Sequence, residues 1–87
     1  MKIRQGFVVR TIANESVVVA LGAASKSFNG MIKLNDTGRL LWDKLSEGCE
    51  IADLKKVLLD EYDVDEEIVT ADVMRFVDTL KGANILE

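Results

Sequence analysis

The hydrophobic pattern of this chain changes period near Asn35, and that switch restricts the fold to a sheet followed by helices. Before Asn35, β-branched residues come in short blocks. Phe7–Ile12 reads as one strand and residues 17–21 as a second. Ala13, Asn14, Glu15 and Ser16 supply the turn, a link short enough to pair the two as an antiparallel hairpin. Residues 22–25 loosen the chain, Asn29-Gly30 is a turn signal, and Met31, Ile32, Lys33 and Leu34 form a short third strand.

Beyond Asn35 the apolar residues recur at helical spacing. A first helix starts at Asn35 or Asp36, both good N-caps, and carries Leu41, Trp42 and Leu45 inward. Gly48 stands where a left-handed C-terminal residue belongs. A second helix covers Ile51–Glu61, with Ile51, Leu54, Val57 and Leu58 on one stripe. Its cap, Glu50, is a weaker choice than Ser or Thr, while Asp53 complements the helix dipole. A third helix follows the N-cap Asp65, with Glu66 and Glu67 in its first turn and Val64 and Val69 at the positions of a hydrophobic staple. Val69, Val73, Phe76, Val77 and Leu80 form its buried stripe. Lys81 and Gly82 close it, and Ile85 and Leu86 fold back on the core. The expectation is an α+β, winged-helix-like fold: a three-stranded antiparallel sheet followed by a three-helix bundle. With 87 residues there is room for one core, so residues 1–87 are expected to form a single domain.

The composition removes most chemistry. The chain has no His and one Cys, so the usual zinc and iron–sulfur sites and the Ser–His or Cys–His nucleophiles cannot be assembled from it. No glycine-rich phosphate loop is present; residues 22–25 lack the Gly-Lys-Ser/Thr ending. The acidic run Asp60, Glu61, Asp63, Asp65, Glu66 and Glu67 reads as a solvated turn and a helix cap, and its spacing misses the calcium loop. No catalytic residue, metal or cofactor is expected, and the chain reads as a binding module rather than an enzyme. Cys49, with no His to activate it, reads as a half-buried filler. A lone cysteine and no signal-like or membrane-spanning apolar run suit a cytoplasmic location.

Charge narrows the partner. A net charge of −4 and scattered Lys and Arg argue against nucleic acid and against an anionic membrane. The helix–turn–helix arrangement leaves a winged-helix DNA-binding regulator as the alternative. Against it, the N-terminal half of the third helix, which would meet base edges, carries Asp65, Glu66, Glu67 and Asp72, with Arg75 as the cation before Lys81. The other use of such an architecture is the sheet edge: the third strand, Met31 to Leu34, can accept an extended peptide as a further strand. Lys33 then either blunts the edge or pairs with an acidic residue of the peptide. On the third helix, Ile68, Asp72, Arg75 and Thr79 share a flank beside the core stripe. Ile68 is a first-turn core residue or a groove-floor contact; Asp72 and Arg75 are a surface pair or fix a peptide's register. Trp42 reads as core. The long loop over residues 22–30 leaves a domain-swapped dimer open beside a monomer.

One stretch resembles a known family. Phe28-Asn29-Gly30-Met31-Ile32-Lys33-Leu34-Asn35-Asp36-Thr37-Gly38, followed by Leu41-Trp42 and Glu47-Gly48, is similar to the signature of PqqD-like proteins. Residues 58–64, with Asp72-Val73, Phe76-Val77 and Leu80 behind them, continue the resemblance across nearly the whole chain. Cys49 and Glu50 depart from the family's usual polar start to the second helix. The resemblance implies a recognition element for ribosomally made, post-translationally modified peptides, the peptide chaperone of pyrroloquinoline quinone synthesis among them. It implies that the leader segment of a precursor peptide lies along Met31, Ile32, Lys33 and Leu34, against Ile68, Asp72 and Arg75. The second implied partner is a maturase, often a radical S-adenosylmethionine (SAM) enzyme.

Overall fold

The computed structural model describes residues 1–26 and 31–87. Strands β1 (Phe7–Ile12), β2 (Glu15–Ala20) and β3 (Ile32–Leu34) form an antiparallel sheet in the order β1-β2-β3. Helices α1 (Asp36–Glu47), α2 (Ile51–Glu61) and α3 (Glu66–Gly82) follow. This is the α+β arrangement expected from the change of period. The Asn29-Gly30 turn, and the part of the family-like stretch that precedes Met31, lie outside the described residues.

The hairpin turn is tighter than its polar residues suggest. Ile12 pairs with Glu15, so only Ala13 and Asn14 make the turn, with φ of 51° and 67°. Two successive positive φ values give the primed turn whose twist matches the strands. Alanine in that region costs about 1 kcal/mol, and of the four expected turn residues Glu15 and Ser16 belong to β2 instead. β2 therefore begins at Glu15 rather than at residue 17, and ends at Ala20. β3 starts at Ile32, one residue later than expected; Met31 is 63% exposed.

The ends of α1 and the start of α2 have identifiable causes. Asn35 sits extended, and its Oδ1 accepts the Gly38 N–H at 2.8 Å. Gly48 ends α1 with φ of 86° and donates its N–H to the Leu45 carbonyl. The Asp53 carboxylate accepts the Glu50 N–H at 2.9 Å, which supports the α2 start that Glu50 alone would leave weak. Asp65 holds the N-cap position of α3 without a side-chain hydrogen bond, and Val64 remains exposed. Gly82 is the last residue of α3, as expected, but the left-handed conformation falls two residues later, on Asn84, with φ of 60°. The Ile85 N–H then reaches back to the Leu80 carbonyl at 2.9 Å.

That reversal sends Ile85 and Leu86 into the core, where they pack with Phe7, Val18 and Leu34 from the sheet. Leu41, Trp42 and Leu45 of α1, Leu54 and Leu58 of α2, and Val69, Val73, Val77 and Leu80 of α3 complete it. Ile51 and Val57 are half-buried at its margin. Leu86 also bridges to Ile3, the Arg4 N–H bonds the Ile85 carbonyl at 2.7 Å, and Arg4 Nη1 donates to Asn84 Oδ1 at 3.0 Å. Burial of each such leucine contributes about 1.5–3 kcal/mol.

Candidate functional site

β3 pairs with β2 on one side, and on its other side lies a groove of about 780 Å³ bounded by α3. The short sequence Leu34-Asn35-Asp36-Thr37-Gly38 builds its base. Leu34 is anchored in the core, Asn35 turns the strand into α1 by capping Gly38, and Gly38 is buried beneath the groove. A Cβ on Gly38 would stand 3.5 Å from Phe76 Cε1, so the aromatic ring rests against bare α1 backbone.

The far wall is one face of α3. Asp72, Arg75, Phe76 and Thr79 line the groove at helical spacing. Phe76 is half-buried, presenting part of its ring to the core and part to the groove. Thr79 donates its hydroxyl hydrogen to the Arg75 carbonyl at 2.9 Å, and Arg75 Nη1 lies 3.4 Å from Asp72 Oδ1. On the strand side, Lys33 Nζ lies 3.2 Å from Glu15 Oε2 across the β2–β3 pair. Both ion pairs are solvent-exposed, so each contributes about 0–1 kcal/mol and is readily exchanged. Charge therefore stands at the rim, and Ile32, Leu34, Leu41 and Phe76 give an apolar stretch to a lining that is otherwise largely polar.

Of the residues singled out in the sequence, Ile32, Lys33, Leu34, Asp72 and Arg75 line this groove together. Met31 and Ile68 do not belong to its lining; both are exposed, Ile68 by 52%. Gly38, Leu41, Phe76 and Thr79 belong to the groove without having been singled out as its residues. Thr79 was visible on the same flank as Asp72 and Arg75. Phe76 was masked because a core stripe and a groove wall have the same helical spacing. Gly38 was signalled by its place in the first turn of a helix, where glycine is a poor former.

The remaining features fall away from the groove. Trp42 is core, 4% exposed. Glu66 of the acidic run meets Lys55 at 4.0 Å, and among the described residues no group of three or more His, Cys, Asp or Glu is placed to hold a metal. Cys49 is half-buried; burial, then the Asp53 charge, pushes its thiol above its ordinary value of 9.0. Among the described residues no helix is long and apolar enough to cross a membrane.

Comparison with known proteins agrees with this fold. A solved structure of TbiB1 in complex with the TbiA(β) leader peptide superposes with a TM-score of 0.79 at 28% identity, over 100% of this chain and 95% of that one. Lasso peptide synthetase B1 complexed with the leader peptide gives a TM-score of 0.75 at 25% identity, over 97% of this chain and 93% of that one. No curated protein matches the sequence. The family model described as coenzyme PQQ synthesis protein D (PqqD) matches residues 15–86. The chain thus belongs to the PqqD family.

Proposed function

We propose that residues 1–87 act as one peptide-binding domain, which takes up the leader segment of a ribosomally made precursor and presents it to a modifying enzyme, a radical SAM or other maturase. The observation that carries this reading is the edge of β3, which no other described strand pairs, facing α3 across a groove with Ile32, Leu34, Leu41 and Phe76 in its lining. An extended leader added beside β3 gains backbone hydrogen bonds from the edge, and its alternate side chains enter the groove. Ile32, Lys33 and Leu34 supply the edge, with Met31 prolonging it by one residue. Asp72 and Arg75 contact the leader from α3, and Ile68 prolongs that wall by one turn. Two structural relatives bound to leader peptides support the assignment. The domain contributes affinity and orientation, and the chemistry belongs to the enzyme it serves.

A backbone-amide NMR titration tests this, using a synthetic leader of a candidate precursor peptide and duplex DNA as control. Shifts concentrated on residues 31–34 and on the Ile68-to-Thr79 face, with DNA inert, are the expected outcome. Shifts along α3 with DNA and none with peptide would sink the reading.

A further inference from the structure

Gly38 is an expensive choice at its position. It lies in the first turn of α1, where glycine is the poorest helix former after proline, and its φ is not in the left-handed range that would require it. Gross overlap does not require it either. A Cβ would meet Leu34 Cδ2 and Phe76 Cε1 at 3.5 Å, ordinary contact, and would press only on Asn35 Oδ1 at 3.2 Å. What glycine alone supplies here is depth. Gly38 lines the groove from below, between Leu34 and Phe76, and no charged side chain is buried there.

We propose that Gly38 is a specificity-determining residue: its bare backbone, with Phe76 and Leu34, floors a pocket that seats one large apolar side chain of the bound peptide. The proposal rests on the peptide-groove reading and deepens it. Lys33, Asp72 and Arg75 stand exposed at the rim, so a charged residue at the anchor position is excluded from the floor by desolvation, and a small one leaves the pocket underfilled. Adding one methyl at Gly38 raises the floor and keeps the Gly38 N–H, while its capping partner Asn35 Oδ1 must give by a few tenths of an ångström.

The test is selection of a displayed library of short random peptides on the full chain and on two variants. On the wild type, enriched peptides share a Leu, Met or Phe at one position. On Gly38→Ala that position shifts to smaller residues, and a wild-type-selected peptide binds about tenfold more weakly or worse, the usual effect of one methyl in an apolar pocket. The melting temperature of G38A stays within about 5 °C of wild type, which separates a shallower pocket from a damaged fold. Phe76→Leu lowers the floor and shifts the position to larger aromatic residues, so the size rule is read in both directions. Unchanged preference in either folded variant, with the wild-type peptide bound within about twofold, overturns the proposal and leaves Gly38 a packing residue. Failure of the wild type to enrich any peptide overturns the groove reading itself.

Discussion

The sheet has two edges, and the longer one is the poorer docking site. β1 runs for 6 residues and β3 for 3, so backbone pairing capacity by itself favours β1. Yet Arg10, Thr11 and Ile12 project into solvent at the end of β1, and no β1 residue lines the groove. β3 has Leu34 rooted in the core, Ile32 half-buried, and α3 standing alongside. An exposed edge offers hydrogen bonds to any extended chain, which is a hazard as much as a function. A neighbouring helix face turns the edge into a site because alternate side chains of the added strand gain somewhere specific to go. The comparison separates affinity, which any edge can offer, from selectivity, which only β3 has the surroundings to supply.

The sharpest way to break this contrast is proline. Successive N–H groups of a strand point to opposite sides, so of Ile32→Pro and Lys33→Pro one removes a donor facing β2 and the other a donor facing the groove. The groove-side variant is expected to fold and to lose leader binding by about tenfold to a hundredfold, measured by calorimetry. Arg10→Pro and Thr11→Pro, in whichever form folds, leave binding within about twofold. Full binding by both folded β3 variants would show that strand addition is not the mode.

Charge reversal gives a smaller effect. Asp72→Lys is expected to change leader affinity by about 1–3 kcal/mol if the carboxylate meets the peptide, whereas Arg10→Glu on the other edge changes it by less than about 0.5 kcal/mol. Equal effects of the two would mean that the protein's overall field, rather than the groove, is being read. Removing Lys33 is expected to cost less than about 1 kcal/mol of stability, because its pair with Glu15 is exposed. The same variant should self-associate more readily in sedimentation, since a lysine on an edge strand discourages pairing with a second copy.

The smallest expected effect is at Cys49, which follows the far end of α1 from the groove. Twelve helical residues span about 18 Å, so leader binding at β3 should leave the rate of Cys49 alkylation unchanged. With its thiol raised by burial and by Asp53, less thiolate is present at a given pH than for a free cysteine. Alkylation at pH 8 is therefore slow in the folded chain, and climbs as the pH rises toward the shifted value. A leader-dependent rate would show that binding reaches the opposite end of α1.

Much of the fold was legible because it is written locally. Asn35 and Gly48 mark helix ends through contacts within a turn, and Leu54 with Leu58, or Val69 with Val73 and Val77, expose the buried face by spacing. The details that differ are also local. Glu15 and Ser16 open β2 instead of belonging to the turn, and the left-handed residue after α3 is Asn84 rather than Gly82. The site was legible only in outline. Asp72 and Arg75 stood out as polar residues on the flank of an apolar stripe, but Phe76 has the spacing of the core and Gly38 has no side chain to notice. Their roles depend on a contact between residues of α1 and α3 that are far apart in the chain.

The sequence by itself determined the order of strands and helices, the helix ends, the buried stripes and the absence of His-based chemistry, because each follows from period, capping preference or composition. Only the tertiary structure decided which sheet edge has a helix beside it, that Gly38 meets Phe76 beneath the groove, and that Met31 and Ile68 stand outside its lining. Those facts depend on how α3 packs against α2 and against the start of α1. Packing is set by the summed burial of side chains from every element rather than by the pattern within any one of them.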